Sequence, residues 1–121
     1  MVCIDTNIIV RHLHDGDKRL GSLIKTHKHV LVPLPVWFEV VYVMEKVYEV
    51  ERAEVETSLM MVLMPEAIVA EKSLLAKVLR CYVKNPGLSV IDCYLAVFAK
   101  ESRAVLITDD RKLAKYVKSS R

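Results

Sequence analysis

A chain of 121 residues that is 53% apolar and 27% charged is long enough for one domain with a real core and too apolar to be disordered. Three glycines and four prolines exclude a fibrous chain or a loop-rich sandwich. Eighteen basic against fifteen acidic residues leave a net charge of +3, a mild excess that by itself argues only weakly for a nucleic-acid partner.

From the N-terminus, Val2-Cys3-Ile4 is a short β-prone run, and Asp5-Thr6-Asn7 supplies helix-capping residues. The pattern predicts strand, turn and helix, the helix ending at Asp15-Gly16-Asp17. Leu20, Leu23 and Ile24 mark a second helix. Val30 to Val32 is a second strand, ended by Pro33 and Pro35. Val36 to Val50 contains no breaker and predicts one long helix; Glu51 to Leu63 predicts another, stopped by Pro65. Ala67 to Val69 is a third strand, and Leu74 to Tyr82 carries an apolar face at helical spacing. Asn85-Pro86-Gly87 is a turn. Ser89 caps a helix running to Ser102, Val105 to Ile107 is a fourth strand, and Arg111 to Lys118 is the last helix.

Continuous apolar strands alternating with helices predict an α/β fold: a single domain over residues 1–121, with a short central parallel sheet of about four to five strands flanked by helices. The carboxyl ends of the strands then share one edge, where ligands of such sheets sit. The cysteines Cys3, Cys81 and Cys93 form no C-x-x-C pair and read as reduced thiols filling core space, which points to the cytoplasm. No signal peptide is expected. Val30 to Met44 is the longest apolar stretch, but it holds Pro33, Pro35 and Glu39 and falls short of the ~20 residues of a membrane span.

Most acids lie in mixed polar stretches and read as a solvated face. Asp5 directly follows the first strand, and Asp109 and Asp110 follow the fourth. Glu39 is the only charge between Val30 and Met44, and Asp92 the only one between Leu88 and Ala99. No Lys or Arg lies in these apolar stretches. Buried carboxylates without a basic partner cost several kcal/mol each, roughly, unless a metal compensates them. Asp5, Asp109 or Asp110 taken singly could be helix caps, but capping does not account for the mid-helix Glu39. Four carboxylates meeting at one sheet edge would call for a hard divalent cation, Mg2+ or Mn2+.

Read together, Val2-Cys3-Ile4-Asp5-Thr6-Asn7-Ile8-Ile9-Val10-Arg11 resembles the opening of the PIN-domain ribonucleases, especially the VapC-like toxins. Val36-Trp37-Phe38-Glu39-Val40-Val41-Tyr42-Val43 resembles their second acidic segment, and Leu88-Ser89-Val90-Ile91-Asp92-Cys93-Tyr94-Leu95-Ala96 the third. Leu106-Ile107-Thr108-Asp109-Asp110-Arg111-Lys112-Leu113 resembles the fourth, a Thr-x-Asp segment. The likeness runs through essentially the whole chain in order, with offsets of 34, 53 and 18 residues between successive acids. Pro35 departs from the small polar residue many relatives carry before the acidic helix, and Cys93 from the Ala they often carry after the acid; neither removes an acid.

The resemblance implies a metal-dependent endoribonuclease whose catalytic, metal-holding acids match Asp5, Glu39, Asp92 and Asp110, supported by Asn7 and Thr108. The implied cofactor, Mg2+ or Mn2+, activates a water toward the scissile phosphorus and stabilises charge on the phosphate. It also implies RNA as substrate, a homodimer and a small antitoxin-like partner. With the four site acids set aside, eighteen basic residues face eleven acids, a balance of +7 that suits a polyanionic substrate. Arg11 is the best single candidate for a substrate contact. Of Asp109 and Asp110, the Thr-x-Asp spacing selects Asp110 as the ligand, with Thr108 orienting its carboxylate and Asp109 capping the last helix. A receiver domain would need a mid-chain strand ending in an acid, and a haloacid-dehalogenase-like phosphatase would need an acid in place of Asn7. His12-x-His14 and His27-x-His29 diverge around a helix and read as surface histidines. A non-catalytic PIN-like RNA-binding or scaffold protein is the remaining alternative.

Overall fold

The computed structural model describes residues 1–119, which divide into two compact units, one from Met1 to Lys72 and a second from Ser73 onward. The first unit contains a parallel sheet of order β1-β2-β3, where β1 is Val2–Cys3, β2 Val30–Leu31 and β3 Ile68–Val69. Register pairs Val2 with Val30 and Cys3 with Leu31, then Val30 with Ile68 and Leu31 with Val69. Ladder bonds extend beyond the paired residues: Ile4 N–H donates to the Leu31 carbonyl at 3.0 Å and Val32 N–H to the Val69 carbonyl at 3.1 Å.

After β1, helix α1 (Thr6–Asp15) begins at Asp5 and ends at Gly16, whose φ of 67° is the left-handed geometry that favours glycine. Helix α2 (Arg19–Thr26) follows and buries Leu20. Helix α3 (Leu34–Tyr42) starts immediately beyond β2, with Pro33 as N-cap and Pro35 in its first turn, where a missing N–H costs nothing. Trp37 is buried on α3 and donates its indole N–H to the Val32 carbonyl at 3.2 Å. The long helix expected over Val36–Val50 is not continuous. It passes at Val43–Val47 into a π-helical turn, closed by Tyr48 N–H to the Val43 carbonyl at 3.2 Å. Beyond that turn Tyr48 stacks on His14 of α1, ring centroids 3.7 Å apart at 16°. Helix α4 (Arg52–Leu63) then buries Val55, Leu59, Val62 and Leu63.

The second unit is helical: α5 (Lys72–Lys84, all but its first residue), α6 (Val90–Glu101) and α7 (Arg111–Ser119). Leu75, Val78, Leu79, Tyr82, Cys93 and Leu113 are buried. The turn at Asn85–Leu88 is closed by Leu88 N–H to the Asn85 carbonyl at 2.9 Å.

The expected α/β class and parallel sheet are present, but the sheet has three strands among the described residues, not four to five. Val105–Leu106–Ile107, the expected fourth strand, has no ladder partner there. Val105 is 66% and Ile107 88% exposed. The segment leaves α6 through Arg103 at a φ of 54°, and the Ala104 N–H is still tied to the Ala99 carbonyl at 2.8 Å. Three β-branched or aliphatic residues in a row give strand propensity, but propensity without a pairing edge makes no strand. Cys3 is likewise exposed rather than core-filling, whereas Cys81 and Cys93 are buried, and all three thiols are free. Leu59→Ala should therefore cost about 2–5 kcal/mol in denaturant unfolding, while Ile107→Ser should change stability by less than about 0.5 kcal/mol.

Candidate active site

In the first unit, Asp5 stands at the carboxyl end of β1 in extended backbone (φ −95°, ψ 168°) and caps α1, its Oδ1 accepting from the Thr6 N–H at 2.6 Å. Asn7 and Arg11 follow one helical turn apart on α1, both exposed, so they share its outer face. The Arg11 guanidinium makes no ion pair among the described residues. Helix α3 leaves the same carboxyl edge of the sheet, packs against α1 and carries Glu39 outward, with Trp37, Val40 and Val41 buried around it in sequence. Among the described residues the Glu39 carboxylate has neither a hydrogen bond nor an ion pair. The topology thus brings Asp5 and Glu39 to helices that start from one sheet edge.

In the second unit, Asp92 is the third residue of α6 and closes a capping box. Ser89 Oγ accepts from the Asp92 N–H at 3.1 Å, and Asp92 Oδ2 accepts from the Ser89 N–H at 3.1 Å. Asp110 precedes α7, which packs against α6, and its Oδ1 accepts from the Leu113 N–H at 2.9 Å. Thr108 Oγ1 accepts from the Asp110 backbone N–H at 3.1 Å. The division of labour expected between neighbours is therefore corrected. Asp110 itself caps the last helix, because its side chain reaches the N–H three residues on. Thr108 fixes the Asp110 backbone rather than its carboxylate.

Burial is the second correction. Asp5, Glu39 and Asp110 are exposed and Asp92 is half-buried. Apolar neighbours in sequence do not bury a residue when helical periodicity turns it the other way. What does hold is the lack of basic partners: none of the four acids takes part in an ion pair among the described residues. Asp5, Asp92 and Asp110 each spend one oxygen on a backbone N–H at a helix N-terminus, where negative charge is favoured, and keep the other for a ligand. Such a donor set, oxygen-only and un-neutralised, fits a hard divalent cation. Within each unit, no three His, Cys, Asp or Glu side chains gather closely enough to hold a metal among the described residues.

Two polar residues beside the acids were not singled out from sequence as site groups. Ser89 was assigned only a capping role, yet the S-x-x-D spacing already contained its grip on Asp92. Thr6 is 3% exposed and its hydroxyl has no hydrogen-bond partner among the described residues; no sequence signal marks this.

The PIN-domain family model matches residues 2–119, across both units. The chain belongs to the PIN-domain family. No curated protein and no solved structure matches it. PIN domains are typically nucleases and generally use divalent metal ions, in keeping with the donor chemistry of these four acids. No helix among the described residues of this PIN domain is long and apolar enough to cross a membrane.

The second unit of this PIN domain also holds a buried polar cluster. Cys81 accepts a hydrogen bond from Cys93, and further ones from the Tyr116 hydroxyl and the Asn85 amide, the last at 3.7 Å. The Cys93 bond leads in lowering the Cys81 thiol to about 6, against burial, which pushes it up. Tyr116 is raised to about 12, first by donating to Cys81 and then by burial.

Two outcomes follow from these local contacts. Asp110→Ala should cost about 1 kcal/mol through the lost cap, and Asp109→Ala less than about 0.5 kcal/mol, measured by denaturant unfolding. A thiol with a lowered folded pKa stabilises fully above its unfolded value of 9.0, and the contribution is lost as pH falls toward about 6. Between these limits the wild type should gain stability over Cys81→Ala as pH rises.

Proposed function

We propose that this chain is a Mg2+- or Mn2+-dependent endoribonuclease, the toxin of a VapBC-type toxin–antitoxin pair, acting in the cytoplasm as a single PIN-like domain over residues 1–121. The observation that carries the reading is the state of Asp5, Glu39, Asp92 and Asp110. All four acids are present, none is neutralised by Lys or Arg among the described residues, and three are anchored by one oxygen only. These four are the proposed catalytic residues and metal ligands. The divalent cation supplies an activated water and stabilises charge on the phosphate.

The chain's own residues do the rest. The starts of α1, α6 and α7 aim Asp5, Asp92 and Asp110 through backbone hydrogen bonds. Asn7 supports the site from the first turn of α1, and Thr108 fixes the turn that presents Asp110. Arg11, unpaired on the outer face of α1, contacts an RNA phosphate. One carboxylate takes the proton from the attacking water. The homodimer and the antitoxin-like protein use exposed apolar side chains of the first unit, Tyr42, Met61 and Met64 among them. Most of Val30–Met44, expected to lie at the surface, is buried instead.

The second reading, a non-catalytic PIN-like RNA-binding or scaffold protein, has one observation in its favour: no metal-sized cluster of three donors exists within either unit among the described residues. RNA cleavage separates the two. Wild type should cut RNA in Mg2+ or Mn2+ and stop in EDTA. Asp92→Asn keeps the oxygen that accepts from Ser89, so it should fold normally yet lose activity by about 100-fold, the scale of removing one group that stabilises developing charge. Absence of cutting by wild type in every divalent metal would favour the scaffold.

A further inference from the structure

A cleft of about 380 Å3 lies wholly within the second unit, between the turn that joins α5 to α6 and the outer face of α7. Three ammonium groups line it: Lys84 at the end of α5, and Lys112 and Lys115 one turn apart on α7. The Lys112 stem runs past Gly87, its Cδ 3.8 Å from where a Cβ would stand, so the absence of a side chain there keeps the wall low. The half-buried Tyr116 also lines the cleft, its hydroxyl engaged with Cys81, and the Asn85 amide is committed to the Cys81 carbonyl at 2.9 Å. Neither polar group is free to neutralise a ligand, and the lysines alone set the sign of the cleft.

That sign is uncompensated. No carboxylate lines the cleft, and none of Lys84, Lys112 and Lys115 is in an ion pair among the described residues, whereas Lys77 of the same unit is paired with Glu101. A second cleft, of about 500 Å3 in the first unit, mixes Asp17 with Lys18 and Lys25 and has no such purity. Three close cations repel one another, and a ligand carrying regularly spaced negative charges relieves the repulsion. A phosphodiester chain has that spacing and is sequence-blind to flexible lysine point charges. The turn that forms one wall runs directly into α6, whose first turn carries Asp92, and α7, the other wall, is capped by Asp110.

We infer that Lys84, Lys112 and Lys115 form a phosphate-binding cleft for single-stranded RNA, which holds the strand beside Asp92 and Asp110. The inference rests on the nuclease reading for its choice of RNA, but binding needs no cleavage and no metal, so the two fail separately.

The test is fluorescence anisotropy of a labelled single-stranded 2′-O-methyl oligonucleotide with the full chain in EDTA, titrated across salt concentrations. Each neutralised phosphate of a single strand contributes a salt slope of about −0.7. The triple variant Lys84→Ala, Lys112→Ala, Lys115→Ala should bind at least tenfold more weakly at low salt and lose about 2 from the slope. The corresponding triple arginine variant should keep both affinity and slope, which a purely structural role of the lysine stems would not require. Lys18→Ala with Lys25→Ala, in the other cleft, should change the slope by less than half as much. An unchanged slope in the triple alanine variant overturns the inference. So does wild-type binding to poly-glutamate as tight as to the oligonucleotide, which would make the cleft a seat for an acidic protein segment. Failure of wild type to bind the oligonucleotide in EDTA overturns it as well. Metal-dependent cleavage, assayed separately, decides the nuclease reading whichever way the binding falls.

Discussion

A carboxylate at the start of a helix is held by backbone N–H groups that have no other partner, and this constraint fixes most of what matters in this PIN domain. The first turn of any helix leaves donors unmatched. Asp5 and Asp110 each satisfy one at the mouths of α1 and α7, and Asp92 closes a reciprocal pair with Ser89 at α6. The same bonds that begin the helices also immobilise the acids. Aiming them in this way costs no lysine or arginine, so their charge remains available to a cation.

Glu39 is the exception and depends on packing instead. It rides on α3, whose entry is set by Pro33 and Pro35 and whose depth is set by Trp37 reaching back to the Val32 carbonyl. Strands of two residues offer few ladder bonds, so the sheet of the first unit relies on buried side chains such as Ile9, Val30, Val40 and Ile68 to keep its edge in register. The position of Glu39 is therefore an outcome of the core, whereas those of the three aspartates are local.

That difference explains how much was legible in the sequence. The first three strands were readable because each is a continuous apolar run bounded by breakers, and all seven helices followed from periodicity and stop signals. Val105 to Ile107 has the same composition as the real strands, but pairing is a property of a neighbour, and composition carries no trace of it. The π-helical turn at Val43–Val47 was equally invisible, since no proline or glycine marks it. The four acids were found from their odd company and ordered spacing. Their exposure was misjudged because a run such as Val36–Val43 looks wholly internal until one knows which side of α3 faces out. The exchange of roles between Asp109 and Asp110 turned on one residue of helix boundary, the distance by which boundaries are least fixed by local chemistry.

The widened turn after α3 has a consequence for chain length. It accommodates one residue more than a regular helix would over the same rise. Deleting a residue from Val43–Val47 would let the backbone close into an ordinary helix with no lost bonds of its own. Everything beyond would then swing by about 100° about the helix axis, carrying Tyr48 away from its stack on His14. The segment works like a phase shim: its thickness sets the angle at which the chain is delivered to α4. Side-chain substitutions there leave that angle alone, whereas a single-residue indel resets it.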